Sequence, residues 1–255
     1  MLSSVEILIL AAIQGITEFL PVSSAAHINL VSKYYNFNSQ SILINICLHL
    51  GSLLAIIFYF RGELLNYIKN KDFLLKIFIA TIPIVPAGYI LYQTGLIKNL
   101  NNLEVIGWMS LIFGILLYIS DKTKITKKVE NNFTNVSAII IGLFQILALI
   151  PGVSRAGITI TSGRMLGFSR FDSAKISFFL SIPTLAAASI LGIYDIYKEG
   201  SVELNFLAIV AVIFSFIFSY IAIAVFLNFI KKFSLNIFII YRIILSILLL
   251  GIVYL

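Results

Sequence analysis

Apolar residues run along this chain in long stretches that short polar segments separate. Six stretches have about the length that a helix needs to cross a bilayer: 41–60, 73–93, 104–120, 172–194, 204–229 and 236–255. They are apolar on every helical face, and they lack the regular alternation of a membrane β-barrel. Since backbone polar groups inside a bilayer must be satisfied internally, the pattern predicts an all-α integral membrane protein with six full transmembrane helices.

Four shorter apolar pieces form two pairs, and a proline breaks each pair. The pieces are 4–20 with 23–35, broken at Pro21, and 135–150 with 153–167, broken at Pro151. Helices of about 13 to 16 residues rise only about 20 to 24 Å, which is less than the hydrocarbon core. We therefore expect two re-entrant helix-break-helix pairs, 4–35 and 135–167. Irregular backbone at that depth needs polar surroundings, so the breaks indicate a polar site inside the protein.

The two halves of the chain share one plan, a broken pair followed by three full spans. Both breaks contain a glutamine, a proline and a Val-Ser pair in the same order, in "IQGITEFLPVSSAAH" (13–27) and "FQILALIPGVSRAGI" (144–158). Because three crossings reverse the direction of insertion, the second half would lie upside down relative to the first. We predict two inverted-topology repeats, 1–134 and 135–255.

The composition agrees with a membrane protein, since 60% of the residues are hydrophobic and only 11% are charged. A soluble domain of this size could not cover so much apolar surface. The N-terminus has neither a basic leader nor a small-residue cleavage site, so we interpret it as mature sequence. The single cysteine, Cys47, cannot form an internal disulfide and is expected to pack as a small apolar residue.

The basic residues indicate the orientation of the chain. The net charge is +7, but 12 of the 18 Lys and Arg fall on one predicted side, which is a topology signal and not a nucleic-acid surface. Because cytoplasmic loops carry the excess of positive charge, we predict that this side is cytoplasmic and that both termini lie outside. The 12 are Arg61, Lys69, Lys71, Lys76, Lys122, Lys124, Lys127, Lys128, Arg170, Lys175, Lys231 and Lys232, and the other side has Lys33, Lys98 and Lys198.

The first break, "QGITEFLPVSSAAH", brings several polar groups into an otherwise apolar run. Gln14 and Glu18 lie four residues apart and share a helical face. A proline ends that helix, and Ser23, Ser24 and His27 follow at the start of the next. An ionisable group inside a membrane segment is costly, which makes Glu18 the strongest candidate for function. The serines could instead cap the second helix, and His27 could bind a carbonyl.

The second break, "PGVSRAGITITSGR", has the groups that a phosphate oxygen needs. A helix starts there, so free backbone N–H groups, hydroxyls and a guanidinium fork lie close together. Arg155 could instead only neutralise Glu18 as a structural ion pair. The candidate phosphate-binding residues are Gly152, Ser154, Arg155 and Thr159, with Gly157 in the same turn.

Four further charged or titratable residues are weaker candidates. His49 is expected to be a packed or vestibule histidine, and Arg164 and Arg170 are expected to meet lipid phosphates. Arg242 lies within a span and needs a partner there. With two histidines and one cysteine, the chain has no cluster of zinc spacing.

The two motifs, in this order and spacing, resemble the paired signatures of the BacA/UppP family of undecaprenyl-diphosphate phosphatases. The stretches "FQILALIPG", "SRFDSAKISFFLSIP" and "IYRII" extend the likeness over nearly the whole chain. The resemblance implies release of inorganic phosphate from a C55 isoprenyl diphosphate, which regenerates the lipid carrier for cell-wall precursors and confers bacitracin resistance. It also implies the bacterial inner membrane, a site facing the periplasm and an inverted-repeat architecture.

Carried over residue by residue, the resemblance assigns roles within both breaks. We take Glu18, Ser24, His27 and Arg155 as candidate catalytic residues. The family's phosphate-binding run falls on Ser154, Arg155 and Thr159, and its acidic motif falls on Gln14 and Glu18.

Two positions depart from the family pattern. Many relatives have glutamate where this chain has Gln14, and the family's second serine after the arginine is Ala156 here. We expect a divalent cation, Mg²⁺ or Ca²⁺, held by Glu18, Gln14 and the substrate phosphates, although the missing carboxylate reduces that role.

Two mechanisms stay open, and two other functions are considered beside the hydrolase. Ser24 would attack phosphorus with His27 or Glu18 accepting its proton, or a water activated by His27 would attack directly. The main rival is a transporter or flippase for a polyprenyl phosphate lipid, since midplane breaks are transporter features. Lipid phosphatases with a P-S-G-H motif need a histidine after the Ser-Arg pair, and none follows Arg155. The expected partners are the lipid substrate and membrane lipids, and no nucleic acid is expected. The sequence is also compatible with a homodimer.

Overall fold

The computed structural model describes residues 3–34, 42–69, 71–199 and 206–254. Within these ranges the regular elements are helices, and the only β-type pairing is one isolated bridge. The helices are α1 Ser4–Thr17, α2 Ser24–Tyr34, α3 Ile42–Tyr59, α4 Arg61–Lys69, α5 Asp72–Thr81, α6 Ile84–Thr94, α7 Leu96–Leu100, α8 Leu103–Asp121, α9 Val129–Asn132, α10 Asn135–Ile146, α11 Arg155–Met165, α12 Arg170–Glu199, α13 Phe206–Lys232 and α14 Asn236–Tyr254. A 3₁₀ turn, Leu147–Leu149, follows α10. The predicted all-α class is confirmed.

Within the described ranges, five helical segments are long and apolar enough to cross a membrane: Asp72–Thr94, Leu103–Asp121, Arg170–Asp195, Phe206–Lys232 and Asn236–Tyr254. A sixth is added if α3 and α4, bent by 71° at Phe60, form one broken span. Each predicted span therefore has a helical counterpart, and α1 and α10 are the shorter apolar helices. Residues 35, 41, 204, 205 and 255, at the ends of predicted segments, lie outside the described residues.

The two short pairs break in the same way. α1 ends at Thr17 and α2 begins at Ser24, whereas α10 leads through the 3₁₀ turn to α11. Ser23 (φ 74°) and Ser154 (φ 70°) are the two non-glycine residues with positive φ among those the structure describes. A left-handed conformation costs a residue with a Cβ about 1–2 kcal/mol. Both breaks therefore hold the serine of the shared Val-Ser pair at a positive φ, which is unfavourable for a residue with a Cβ.

Several of the helix contacts match when the two halves are exchanged. α1 packs on α13 and α10 packs on α5, while α3 packs on α13 and α12 packs on α5. The contacts of α3 with α12 and of α8 with α14 join equivalent helices of the two halves. Among the described residues, α11 also packs on α8 and α12, and α2 makes no comparable contacts with α14 and α3. Matching contacts of this kind are expected when two halves of a chain are related by a two-fold axis. The repeats 1–134 and 135–255 and their inverted topology stay a prediction.

One end of the bundle gathers segments that the charge pattern predicts to be cytoplasmic. Lys175 Nζ lies 2.5 Å from Glu63 Oε2, which joins α12 to α4. Lys231 Nζ lies 4.9 Å from the centre of the Phe171 ring, which joins α13 to α12. These contacts place several basic segments together. The side chains of Lys33, Lys69, Lys98 and Lys198 lie outside what the structure describes.

The expectation that Arg164 and Arg170 meet lipid phosphates is wrong. Arg164 is 2% exposed and donates to the carbonyls of Phe168, Asp121 and Thr123 at 2.5, 2.9 and 2.6 Å. Arg170 donates to both carboxylate oxygens of Asp121, at 2.6 and 2.9 Å. Asp121 ends α8 inside the protein, and its buried charge needs cationic partners. Both arginines therefore turn inward and tie α8 to α11 and α12.

Candidate active site

The two breaks meet inside the bundle around a polar cavity of about 120 Å³. The first break contributes residues at the end of α1 and the start of α2, and the second contributes the 3₁₀ turn and the start of α11. The lining residues are Glu18, Ser23, Ser24, Ala25, Ala148, Ile150, Pro151, Gly152, Ser154 and Arg155. Polar groups that are far apart in the sequence therefore share one cavity.

Glu18 makes the hydrogen bonds that join the two breaks. Its Oε1 accepts from Arg155 Nη2 at 2.8 Å. Its Oε2 accepts from Ser24 Oγ and from Gln14 Nε2, both at 2.9 Å. The side chains of Arg155 and Glu18 are only 13% and 8% exposed, so this ion pair is largely shielded from solvent. Removing either charge would leave the other buried without its partner.

The amide of Gln14 connects Glu18 to His49. Gln14 Nε2 lies 2.9 Å from Glu18 Oε2 and 3.0 Å from His49 Nδ1. An amide nitrogen has two N–H donors and cannot accept, so His49 Nδ1 is the acceptor and the proton of its neutral ring lies on Nε2. The carboxylate of Glu18 fixes this orientation of the amide. His49, which the sequence predicts as a packed or vestibule histidine, is therefore one amide away from the candidate catalytic carboxylate.

Arg155 is held on its second side by α12. Its Nη1 donates to the Ser177 carbonyl at 3.1 Å. Thr159 Oγ1 lies 2.7 Å from Ser177 Oγ and 2.8 Å from the Arg155 carbonyl. Thr159 is fully buried and does not line the cavity. In this arrangement its hydroxyl supports the turn that carries Arg155, and its predicted contact with phosphate stays a prediction.

Two helix N-termini converge on the cavity, because α2 begins at Ser24 and α11 begins at Arg155. Each N-terminus has backbone N–H groups without helical partners and a partial positive charge of about half a unit. Ser154 Oγ caps α11 by accepting from Gly157 N at 3.1 Å. At Gly152 (φ +95°) a Cβ would lie 2.6 Å from the Ile106 carbonyl oxygen, so the turn requires glycine. With Arg155, these ends form a surrounding that favours an anion.

Arg242 of α14 holds both breaks from behind the cavity. It is fully buried, and its Nη1 donates to the carbonyls of Pro21 and Val153 at 3.3 and 3.0 Å. Its Nη2 donates to the Gly152 carbonyl at 3.0 Å, and its Nε to the Ser110 carbonyl at 3.3 Å. Where a helix is interrupted, carbonyls lose their helical partners. The partner that the sequence predicts for Arg242 is thus the backbone of the two breaks.

His27 lies next to the cavity but bonds away from it. Its Nδ1 is 2.7 Å from the Ser23 carbonyl and its Nε2 is 2.6 Å from the Tyr241 hydroxyl. The carbonyl can only accept, so Nδ1 carries the proton and Nε2 accepts from the tyrosine. Both ring nitrogens are engaged, and Ser24 bonds to Glu18 instead. Of the two proton acceptors that the sequence leaves open for Ser24, Glu18 is the one in contact with it.

Ser177 and Tyr241 contact Arg155 and His27, and neither is predicted from the sequence as a site residue. Ser177 lies within "SRFDSAKISFFLSIP" and Tyr241 within "IYRII", two stretches that carry the family resemblance outside the breaks. Those stretches are the signal that could have pointed to them. A serine or a tyrosine alone in an apolar span is too common to stand out.

The residues at the cavity do not fit a divalent cation held by the protein itself. Ca²⁺ takes about six to eight oxygen ligands, and Mg²⁺ about six. Glu18 is the only carboxylate among the described residues that line the cavity, and both of its oxygens are engaged. Gln14 Oε1 is buried without a hydrogen-bond partner in the described residues, which adds one oxygen. The cation predicted at Glu18 and Gln14 stays a prediction, and no catalytic step below depends on it.

Comparison with known proteins agrees with the resemblance seen in the motifs. Residues 7–248 match the family described as bacitracin resistance protein BacA. The chain is 55% identical over 251 residues to an undecaprenyl-diphosphatase of Pelagibacter ubique, with 98% of each chain covered. It is 38% identical over 263 residues to an undecaprenyl-diphosphatase of Roseobacter denitrificans and 37% identical over 262 residues to that of Alteromonas mediterranea, again with 98% of each chain covered. The chain therefore belongs to the BacA family of bacitracin resistance proteins.

Proposed function

We propose that this protein hydrolyses undecaprenyl diphosphate to undecaprenyl phosphate and inorganic phosphate, and so recycles the lipid carrier of cell-wall synthesis. The relatives' names supply the substrate. The observation that carries the chemistry is Glu18, bonded to both Arg155 and Ser24 beside a cavity where two helix N-termini converge. Phosphoryl transfer is catalysed mainly by positioning and by stabilising charge, and this arrangement supplies both.

We expect the diphosphate of the substrate to replace Glu18 as the ion-pair partner of Arg155. A diphosphate has more negative charge than one carboxylate, and the guanidinium fork matches two phosphate oxygens at once. The distal phosphate would then lie between Arg155 and the first amides of α2 and α11. Glu18 would lose its cationic partner but keep its hydrogen bond to Ser24, which leaves the carboxylate free to accept a proton.

In the chemical step, Ser24 Oγ attacks the distal phosphorus and passes its proton to Glu18. The bond from that phosphorus to the bridging oxygen breaks, and undecaprenyl phosphate leaves with the electron pair. Water then attacks the phosphoserine, the bond from phosphorus to Ser24 Oγ breaks, and Glu18 returns the proton to Ser24 Oγ. Inorganic phosphate leaves with both protons of the water. The 2.9 Å hydrogen bond between Ser24 and Glu18 supports this route over direct attack by a water that His27 activates.

The protein is a multi-pass membrane protein, and we place it in the bacterial inner membrane with the cavity open to the periplasm. The support is the charge pattern, since basic residues collect at one end of the bundle. A homodimer stays a prediction.

Phosphate release from undecaprenyl diphosphate by the purified protein in detergent tests this function. Glu18→Ala and Arg155→Ala should each lower the rate by about 10²-fold or more, the cost of losing one charge-stabilising or proton-transferring group. Glu130→Ala and Arg61→Ala, at exposed positions, are the matched controls and should stay near the wild-type rate. Binding or movement of the lipid without phosphate release would contradict the hydrolase and favour a transporter or flippase.

A further inference from the structure

An apolar groove of about 390 Å³ adjoins the polar cavity on the other side of the 3₁₀ turn. It lies between the α5–α6 segment and α12. Leu149 lines the groove, whereas its neighbours Ala148 and Ile150 line the polar cavity. The 3₁₀ turn is therefore a wall that the two spaces share.

Helix α12 connects the same two spaces. The Ser177 carbonyl accepts from Arg155 at the polar cavity, and Thr184 lines the groove. These residues are two helical turns apart and lie on one face, so the groove begins about 10 Å from the level of the guanidinium. A molecule whose charged end lies at Arg155 therefore reaches into the groove if its tail extends a few carbon–carbon bonds beyond about 10 Å.

Small residues create the groove, and large apolar residues form its rim. Gly88 of α6 faces Ala187 and Ala188 of α12 across it. Tyr89 and Ile190 on the rim are 60% and 66% exposed, so the groove opens sideways, where a membrane protein meets lipid. A chain longer than the groove can therefore continue into the bilayer without being enclosed.

We propose that this groove holds the head-proximal isoprene units of the polyprenyl substrate while the diphosphate lies in the polar cavity. The inference rests on the proposed function and adds the place of the tail. An anion site and an apolar groove that share one wall match the two parts of a polyprenyl diphosphate. An ordinary phospholipid acyl chain can enter the groove from the side, but its head would not lie at Arg155.

The groove contributes alignment more than affinity. Lipid tails are as apolar as its walls, so moving a chain from bilayer to groove gains packing and little hydrophobic free energy. A chain that lies beside the 3₁₀ turn fixes the direction from which the diphosphate enters the cavity. The effect should therefore appear in the rate with long-chain substrates.

Filling the groove tests this role. At Gly88 a Cβ would meet only Leu149 Cδ2, at 3.8 Å, so Gly88→Phe fills the groove without a backbone clash. Since alignment and packing are lost, kcat/KM for undecaprenyl diphosphate should fall roughly three- to tenfold in Gly88→Phe and in Ala188→Phe. For a five-carbon isoprenyl diphosphate, whose tail ends at the start of the groove, the change should be much smaller. Ile90→Phe, on the same helix but outside the groove, is the control. Equal losses for both substrates would contradict the proposal.

Photo-crosslinking tests the same site without measuring activity. With benzoylphenylalanine in place of Tyr89, irradiation in vesicles should attach undecaprenyl diphosphate far more often than its mole fraction predicts. With the same group in place of Ile90, the products should follow the bulk lipid composition. Matching product ratios at the two positions would overturn the groove assignment. If the Tyr89 variant crosslinks the substrate but the wild-type protein releases no phosphate, the proposed hydrolysis is refuted and the tail site still stands.

Discussion

Ser23 and Ser24 are adjacent in the chain but differ in what the site needs from them. Ser23 has a positive φ of 74°, and its carbonyl accepts from His27. Ser24 begins α2, and its hydroxyl donates to Glu18. Ser23 therefore contributes its backbone to the site, whereas Ser24 contributes its hydroxyl. The sequence alone does not show which of two neighbouring serines has which role.

Replacing each serine separates these roles. Ser24→Ala removes the hydroxyl that attacks phosphorus, and phosphate release should fall by about 10²-fold or more. Ser23→Gly keeps the backbone, because glycine adopts positive φ readily, and should retain a rate within about threefold of wild type. Initial rates with undecaprenyl diphosphate measure both. Near-full activity in Ser24→Ala would favour direct attack by water.

His49 is expected to position Glu18 through Gln14. His49→Ala leaves one N–H of the Gln14 amide without its acceptor, which costs about 1–3 kcal/mol for a buried donor and loosens the amide that orients the carboxylate. We predict a loss of roughly tenfold in kcat with little change in KM. His49→Gln, whose amide oxygen can accept, should restore most of the rate. If His49→Gln is as slow as His49→Ala, the hydrogen bond is not the cause.

Single residues of the site were predictable from sequence where they break an apolar run, as Glu18 and Arg155 do. The partners of Arg164 and Arg170 were not, because Asp121 reaches them only after α8, α11 and α12 have packed. His49 and Ser177 enter the site for the same reason. Their roles depend on three-dimensional convergence, which neither spacing nor hydropathy reports.

At the scale of helices, the site consists of two interrupted pairs whose free ends point at one cavity. Hydropathy and proline positions predict these pairs, yet proline alone does not determine a break. The helix is interrupted at Pro83, between α5 and α6, whereas Pro183 lies within continuous α12. Whether a helix continues past proline depends on how its neighbours satisfy the freed carbonyls. The bend at Phe60 likewise cannot be predicted from the hydropathy pattern.

Arg242 supplies such donors to both breaks, and its loss should disturb both. Arg242→Met keeps the apolar stem but leaves the carbonyls of Pro21 and Val153 without the donors they have in Arg242, and it leaves the Gly152 carbonyl with Ser110 Oγ alone. We predict a loss of about 3 kcal/mol or more in stability, seen as a lower Tm, and loss of phosphate release although Arg242 does not line the cavity. Arg61→Met, which changes an exposed arginine packed on Phe58, should alter neither. An unchanged Tm in Arg242→Met would contradict this role.

At the scale of the whole molecule, the fold has two distinct ends. The basic end is joined by contacts such as Lys175 with Glu63, and the other by contacts such as Asn29 with Asn101, at 2.7 Å. The positions of the long apolar helices followed from the sequence, because hydropathy reports apolar length directly, and the sixth predicted span corresponds to the bent α3–α4 pair. The inverted repeat stays a prediction, and some of the helix contacts and the positive φ of the matched serines agree with it.

Cysteine labelling tests which end faces outward. In a Cys47→Ala background, Asn101→Cys should react with a membrane-impermeant maleimide in intact cells, because that end is predicted to be periplasmic. Lys124→Cys, exposed at the basic end, should react only after the membrane is permeabilised. The reverse pattern would place the basic end outside and overturn the predicted orientation.

If breaks from the two halves of the chain form one catalytic site, Glu18 and Arg155 act as a unit. Phosphate release should be measured for Glu18→Gln, Arg155→Lys and the double variant. We predict that each single change costs about 10²-fold or more and that the double variant is no more than about tenfold slower than the worse single variant, because residues of one unit are non-additive. Losses that multiply in the double variant would show that the two residues act independently and would contradict a shared site.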